Sequence, residues 1–155
     1  MEYTEVQFEQ DTHAHVRRVR ELLTLAAKDL LDRGACHDDS KFQSPERELF
    51  IEYTPKLKHV TYGSNEYNSF LKELDVALQH HYANNSHHPQ HYKNGINDMT
   101  LLDVIEMFFD WKASSERHND GNIHKSIEKN RERFAMSDQL CRIFENTAKW
   151  LEGQK

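Results

Sequence analysis

The segment TLLDVIEMFFDW, residues 100–111, predicts a very apolar α-helix that extends to about residue 115. Thr100 and Asp103 have the spacing of a capping box, in which two side chains satisfy free amides at the start of a helix. A broad arc of apolar residues follows one side of this helix. Asp103, Glu106 and Asp110 share the other side, at spacings of three and four residues. The segment therefore predicts a helix with one apolar face and one acidic face.

Long stretches of helical period and few turn signals continue on both sides of this segment. The further predicted helices cover residues 11–32, 45–53, 64–82, 123–135 and 138–152. Gly34 is expected to end the first of them, and Ser137 to cap the last. Ser-Pro at 44–45 and, more weakly, Thr-Pro at 54–55 are signals for helix starts. We expect an all-α fold, a compact helical bundle in which residues 1–155 form a single domain.

Composition excludes several classes of protein. The 155 residues are 37% hydrophobic and 30% charged, with a formal net charge of −6 and no basic block. This argues against a protein that grips a nucleic-acid backbone, which needs clustered Lys and Arg. The absence of a long apolar run and of a signal peptide predicts a cytoplasmic protein. Cys36 and Cys141 are expected to be buried thiols in a reducing compartment.

The chain has eleven histidines, and helical phase separates the first two of them. His15 continues the apolar stripe of the first predicted helix, which includes Val19 and Leu22, whereas His13 falls on its polar side. We expect His15 to point inward and His13 outward. A satisfied core histidine is the usual interpretation of a single inward imidazole.

The segment CHDDSK, residues 36–41, places an imidazole beside carboxylates directly after that helix. His37 and Asp38 can approach a metal ion from one short stretch of backbone, and the two oxygens of Asp38 can bridge two ions. Lys41 follows three positions later, where it can hold a phosphate. Asp39 can orient an attacking water or accept a hydrogen bond from a ligand histidine, although solvation is an equally good use for it.

A second group of histidines follows, at 80, 81, 87, 88 and 91. His81 lies on the apolar stripe of its predicted helix, so it should point inward and needs a polar partner there. His87 and His88 lie in a polar loop before Pro89, which favours extended backbone in the preceding residue. An extended His88 can reach back over a site, with His87 as the alternative.

The order of His15, His37-Asp38 and Asp110 on helices resembles the HD-domain superfamily of metal-dependent phosphohydrolases. Lys41 matches the His-Asp-x-x-Lys form of many members. The segments HDDSKF (37–42), HY…NSHHP (81–89) and EMFFDW (106–111) look like a small uncharacterised HD-related family common in phages and bacteria. The resemblance covers roughly residues 14–115, most of the chain.

This resemblance implies an all-α fold with a central metal site. One ion would be held by His15, His37, Asp38 and Asp110. In two-metal members, intervening histidines hold a second ion, for which His81 and His88 (or His87) are the candidates, with Asp38 as the bridge. The helix of Asp110 would then be buried on both faces.

Imidazole and carboxylate ligands suit Mn, Fe, Co, Ni or Zn and do not choose among them. One or two such ions activate water and polarise a phosphoryl oxygen. The predicted function is hydrolysis of a small nucleotide or related phosphoester, with Asp38, Asp39 and Lys41 in catalytic roles. Lys41 and Arg117 are the candidates for binding phosphate, although a surface role suits Arg117 equally well. Aromatic residues of the segment 53–67, including Tyr62, can stack on a base, but core packing is the more usual role for them.

Two other functions are compatible with the same residues. HD-fold proteins with four histidine and two aspartate ligands include di-iron oxygenases, and the predicted ligands give that count. A non-catalytic module that binds or sequesters a nucleotide is the other alternative. The expected partner is a small-molecule substrate. Binding to a membrane is not expected, and binding to nucleic acid is disfavoured. The helices after Ile123 can close the core or pair with a second copy of the chain, so homo-oligomerisation is open.

Overall fold

A computed structural model describes residues 3–60, 64–117 and 121–154 of the chain. Its elements are all helical within these ranges, which confirms the all-α class. Six α-helices are described: α1 (Glu5–Cys36), α2 (Glu46–Lys58), α3 (Asn65–Asn84), α4 (Leu101–Ser115), α5 (Ile123–Arg133) and α6 (Asp138–Glu152). Short 3-10 helices occupy Asp39–Phe42, Pro89–His91 and Gly95–Asp98. None of the described helices is both long enough and apolar enough to span a bilayer.

The chain divides into two compact units, Met1–Cys36 and His37–Lys155. The first unit is α1 alone, so the apolar stripe that includes Val19 has no second helix to pack on within the described residues of its own unit. The inward position of His15 and the single domain of residues 1–155 therefore stay predictions. The second unit contains α2 to α6 and every other predicted metal ligand.

The core of the second unit forms where α4, α5 and α6 meet. Its buried side chains include Met107 and Phe108 of α4, Ile127 of α5 and Phe144 of α6. The rings of Phe108 and Phe144 stack with centroids 5.1 Å apart, a geometry that adds about 0.5–1.5 kcal/mol to their burial. This core fixes one face of α4 and leaves its acidic face to the rest of the unit.

Helix ends follow the sequence where a side chain caps them. Thr100 and Asp103 form the predicted capping box at the start of α4. The Ser137 hydroxyl accepts a hydrogen bond from the amide of Leu140, and α6 has the predicted bounds. Both predictions are confirmed because the capping contacts are local and depend on residues three positions apart.

Three predictions of local structure are wrong. Gly34 does not end α1, which continues to Cys36; a glycine weakens a helix without stopping it where the flanking turns remain bonded. Pro55 lies inside α2 and begins no new helix, although it cannot donate a backbone hydrogen bond there. Cys36 is exposed in the last turn of α1, where its thiol donates to the carbonyl of Asp32, whereas Cys141 is buried as expected.

Candidate metal centre

Three elements of the second unit bring the candidate ligands together. The turn after α1 supplies His37 and Asp38, the end of α3 and the following loop supply three histidines, and the acidic face of α4 supplies carboxylates. The resulting groups are Asp38 with His81, His87 and His88; His37 with His87 and Glu106; and His37 with Asp38 and Asp110. The ligand atoms within each group lie within 4.8 Å of one another. Such groups could hold a metal ion.

The backbone at Asp38 is unusual. Its φ of 61° and ψ of 17° lie in the left-handed region, which costs a non-glycine residue roughly 1–2 kcal/mol and which aspartate tolerates better than most. The following residues form the 3-10 helix Asp39–Phe42. Strained residues of this kind concentrate at functional sites, and here the strained residue carries the carboxylate shared by two of the candidate groups.

Two glutamates fix the orientation of the imidazoles. Oε1 of Glu106 accepts from Nδ1 of His37 at 2.9 Å and lies 3.1 Å from Nδ1 of His87. Oε1 and Oε2 of Glu46 accept from Nδ1 of His80 and of His81 at 2.7 and 2.8 Å. Because an ionised carboxylate only accepts hydrogen bonds, each facing Nδ1 carries the proton.

The opposite ring atoms of these histidines converge on Asp38. Nε2 of His81 lies 3.3 Å, and Nε2 of His87 3.6 Å, from Oδ1 of Asp38. Nε2 of His37 lies 3.5 Å from Oδ2 of Asp38 and 3.7 Å from Oδ1 of Asp110. A neutral imidazole that is protonated at Nδ1 presents the lone pair of Nε2, which is the form that ligates a metal ion. His37 hydrogen-bonds Asp110 through a second proton on Nε2, and a bound metal ion would take the position of that proton.

The separations fit a coordination shell. Donor atoms about 2.1 Å from a shared ion lie roughly 3–3.4 Å from one another, as follows from the ligand distances of zinc sites. The contacts around Asp38 fall near this range, and Nε2 of His81 and Nε2 of His88 are 2.8 Å apart. Oδ1 of Asp38 and Nε2 of His87 are buried without a hydrogen-bond partner among the described residues. Unsatisfied buried polar atoms are rare, and a bound cation would satisfy both.

The electrostatics favour positive charge at this place. Hydrogen bonding to Asp110, opposed by burial and reinforced by Glu106, raises the pKa of His37 to about 9. Burial opposes ionisation of Asp38, but His81 and Lys41 beside it hold the pKa of its carboxyl well below the usual range. Burial, together with His87 and His81, lowers the pKa of His88 to about 3. The lowered pKa values of Asp38 and Asp110 keep these two carboxylates ionised, and His88 is neutral, as ligands must be. His37, whose pKa is raised, must lose a proton before it can ligate an ion.

The loop that carries His87 and His88 is anchored by Asp103. This buried carboxylate accepts from the Ser86 hydroxyl at 2.7 Å, the Tyr92 hydroxyl at 2.9 Å and the Thr100 amide at 2.8 Å. The acidic face of α4 thus has two uses. Asp103 holds the loop, while Glu106 and Asp110 face the histidines. On this face Asp103 is buried, whereas Glu106 and Asp110 are partly buried.

The structure brings together most of the predicted site residues. His37, Asp38, His81, His88 and Asp110 fall within the candidate groups. His88 has the extended backbone predicted from Pro89, with φ −95° and ψ 127°. Lys41 donates to Oδ2 of Asp38 at 2.5 Å.

The other predicted site residues lie outside these groups. Asp39 is exposed, and so is Arg117 after the end of α4. His15 belongs to α1, so its ligation stays a prediction. Tyr62 lies outside the described residues.

Sequence reasoning missed two parts of the centre. His87 was the second choice to His88, but both lie in one group, and His87 is only 2% exposed. Glu46 carried no signal, because its partners are more than thirty residues away along the chain. Glu106 had a signal, its place on the acidic face of α4 one turn before Asp110.

One comparison with known proteins gives a match. A family model described as "Family of unknown function (DUF5662)" matches residues 4–152. Among curated proteins and among solved structures there is no significant match.

Proposed function

The chain belongs to the DUF5662 family, whose function is unknown, and we propose that it is a metal-dependent phosphohydrolase acting on a small nucleotide or a related phosphoester. The observation that carries the proposal is the convergence on Asp38 of three histidine Nε2 atoms, from His37, His81 and His87, with a lysine bonded to the same carboxylate. The HD-type arrangement is part of this proposal.

Two overlapping sets of residues would hold the ions. Asp38, His81, His87 and His88 form one set, and His37, Asp38 and Asp110 form the other, so Asp38 would bridge. His15 completes the second set if α1 supplies it. Mn, Fe, Co, Ni and Zn all accept these ligands. When bound, such ions lower the pKa of a water and polarise a phosphoryl oxygen.

The residues of the chain supply the remaining functions. Lys41 places an ammonium group 2.5 Å from Oδ2 of Asp38, where it can neutralise charge on a nonbridging phosphate oxygen. Glu46 and Glu106 keep the ligand imidazoles in one tautomer and one orientation. Asp39 is an exposed carboxylate next to Asp38, available to accept a proton from water at the edge of the site.

A small phosphoester is favoured over a nucleic-acid polymer. The net charge of −6 and the absence of a basic block disfavour binding to an extended phosphate backbone. Acidic side chains also surround the site itself, where Asp38, Glu106 and Asp110 lie together. One phosphate held by Lys41 and by bound cations fits this charge distribution better than many phosphates in a row.

The test is phosphate release by the purified chain, loaded in turn with each candidate metal, from a panel of nucleoside mono-, di- and triphosphates and cyclic nucleotides. We expect one metal to support turnover, and Asp38→Asn to abolish it. Asp75→Asn, which changes an exposed aspartate of α3, is the matched control and should retain full activity. Turnover by Asp38→Asn, or no turnover with any metal, would refute the hydrolase proposal.

A di-iron oxygenase is the second candidate, and a count of ligands supports it. The second unit alone offers four histidines and two aspartates, namely His37, His81, His87, His88, Asp38 and Asp110, which is the set of the HD-fold oxygenases. Consumption of O₂ by the iron-loaded chain, without phosphate release from the panel, would favour this function over hydrolysis.

A further inference from the structure

A second feature adjoins the candidate metal centre, an open cleft of about 710 Å³ between the 3-10 helix Asp39–Phe42 and α2. Its walls are mainly apolar and include Phe42, Phe50, Ile51 and Pro55. Phe42 and Ile51 are 76% and 66% exposed. Large apolar side chains are usually buried in folded proteins, so their exposure beside a cleft is consistent with a binding surface. The cleft volume is within the range of small-molecule sites, about 300–1,000 Å³.

Two residues belong both to the cleft and to the surroundings of the centre. Lys41 lines the cleft, donates to Asp38 at 2.5 Å and places its Nζ 5.9 Å from the ring centroid of Phe50. Phe50 also lines the cleft, and its ring meets the ring of His81 edge-on at 6.5 Å between centroids. A ligand in the cleft would therefore reach the centre past Lys41.

The charges of the cleft suit an anionic aromatic ligand. Lys41 and Arg47 are the cations among its described lining residues, which include no carboxylate. Phe42 and Phe50 offer aromatic faces, and stacking on such faces tolerates any base because every base has a π-face. A sugar phosphate would use the cations but not the rings, and an uncharged apolar molecule would use the rings but not the cations.

We propose that this cleft binds the base of a nucleotide whose phosphate lies at Lys41, with Phe42 and Phe50 as the stacking residues and Arg47 as a second contact to the anion. The inference rests on the proposed function, since it makes the cleft the substrate site of the same centre. It narrows the substrate class from phosphoesters in general to phosphoesters that carry an aromatic base.

The test compares adenosine 5′-monophosphate with ribose 5-phosphate, which differ by the base. Equilibrium dialysis of the full chain as purified gives both affinities, and phosphate release is measured in the same samples. We expect the adenine nucleotide to bind at least about tenfold more tightly, the contribution of one stacked base. Phe42→Ala should remove most of that preference. Trp150→Ala, which removes a 59% exposed aromatic side chain of α6 outside the cleft, should preserve it.

Equal affinity for the two probes, or an unchanged preference in Phe42→Ala, would overturn the inference. A dimer that Phe42→Ala dissociates in gel filtration, with nucleotide affinity unaffected, would also overturn it, because the cleft would then be an interface between copies of the chain. A base preference that depends on Phe42 but is accompanied by no phosphate release supports the cleft as a base-binding site. The hydrolase proposal then fails only if the metal-loaded chain also releases no phosphate from the full nucleotide panel.

Discussion

Replacing Glu106 with alanine should weaken metal binding by about 100-fold, although Glu106 need not itself ligate the ion. Its Oε1 contacts Nδ1 of both His37 and His87, at 2.9 and 3.1 Å. Loss of one such supporting partner typically reduces metal affinity 10- to 100-fold. Since one carboxylate orients two ligands here, we expect the upper end of that range, which corresponds to about 2.8 kcal/mol at roughly 1.4 kcal/mol per tenfold change.

Glu106→Gln separates orientation from folding. Both imidazoles meet the same oxygen, so the amide oxygen of glutamine can accept from both Nδ1 groups, and we expect a loss of less than about tenfold. Glu145→Ala is the matched control. It removes a carboxylate that accepts from Nδ1 of His124 at 2.5 Å, outside the candidate groups, and should leave metal affinity unchanged.

The assay is competition with a chromophoric chelator, titrated with Zn²⁺ and with Mn²⁺, on variants whose circular dichroism shows intact helices. The reasoning fails if folded Glu106→Ala binds metal within threefold of the wild-type affinity. It fails equally if Glu145→Ala loses as much affinity as Glu106→Ala, because the effect would then not be specific to the centre.

Three further predictions concern single residues. Lys41→Gln should reduce kcat by about 100-fold, the usual effect of removing one group that stabilises developing charge, and should leave the metal content unchanged. Steady-state kinetics measure kcat, and elemental analysis measures the metal content. Loss of the metal would assign Lys41 a structural role instead. Asp103→Ala should lower the free energy of unfolding by about 3 kcal/mol, because three part-buried donors lose their buried acceptor. Urea denaturation measures this free energy, and a change below about 1 kcal/mol would contradict the anchoring role. The hydrogen bond to Glu145 raises the pKa of His124 in the folded chain. The ion pair of His124 with Glu145 therefore stabilises the fold fully below the unfolded pKa of about 6.5. This stabilisation is lost as the pH rises through the raised folded pKa. His124→Gln should accordingly be less stable by up to about 1 kcal/mol at pH 5.5 and equal to wild type above that folded pKa, whereas a difference that persists at high pH would contradict the ion pair.

The sequence predicts the parts of this fold that depend on local contacts. The capping box of Thr100 and Asp103 and the Ser137 cap of α6 each involve residues three positions apart, and both are found. The errors at Gly34 and Pro55 have the opposite cause. Each residue disfavours a helix locally, but the turns on both sides outweigh that preference, because propensity is a weak contribution compared with continued hydrogen bonding.

The candidate centre divides in the same way. His37 and Asp38 are adjacent, and the helical phase of His81 is visible in the sequence, so these three could be named from the residues. Helical phase places Asp110 on the acidic face of α4 together with Asp103 and Glu106, and only the order of residues that resembles the HD superfamily singled it out. Which of His87 and His88 faces the site depends on the backbone conformation of the loop. Helical periodicity does not describe a loop, so the sequence did not decide between them. Glu46 could not be found, because it meets His80 and His81 only after α2 and α3 have packed together.

The metal content of the chain purified without chelator tests the central claim most directly. Asp38 belongs to both sets of proposed ligands, so elemental analysis should find at least one transition-metal ion per wild-type chain and almost none in folded Asp38→Asn. The Asp75→Asn control should match wild type. A folded wild-type chain that stays metal-free even after incubation with each candidate ion, or an Asp38→Asn chain that retains the full complement, would contradict the account.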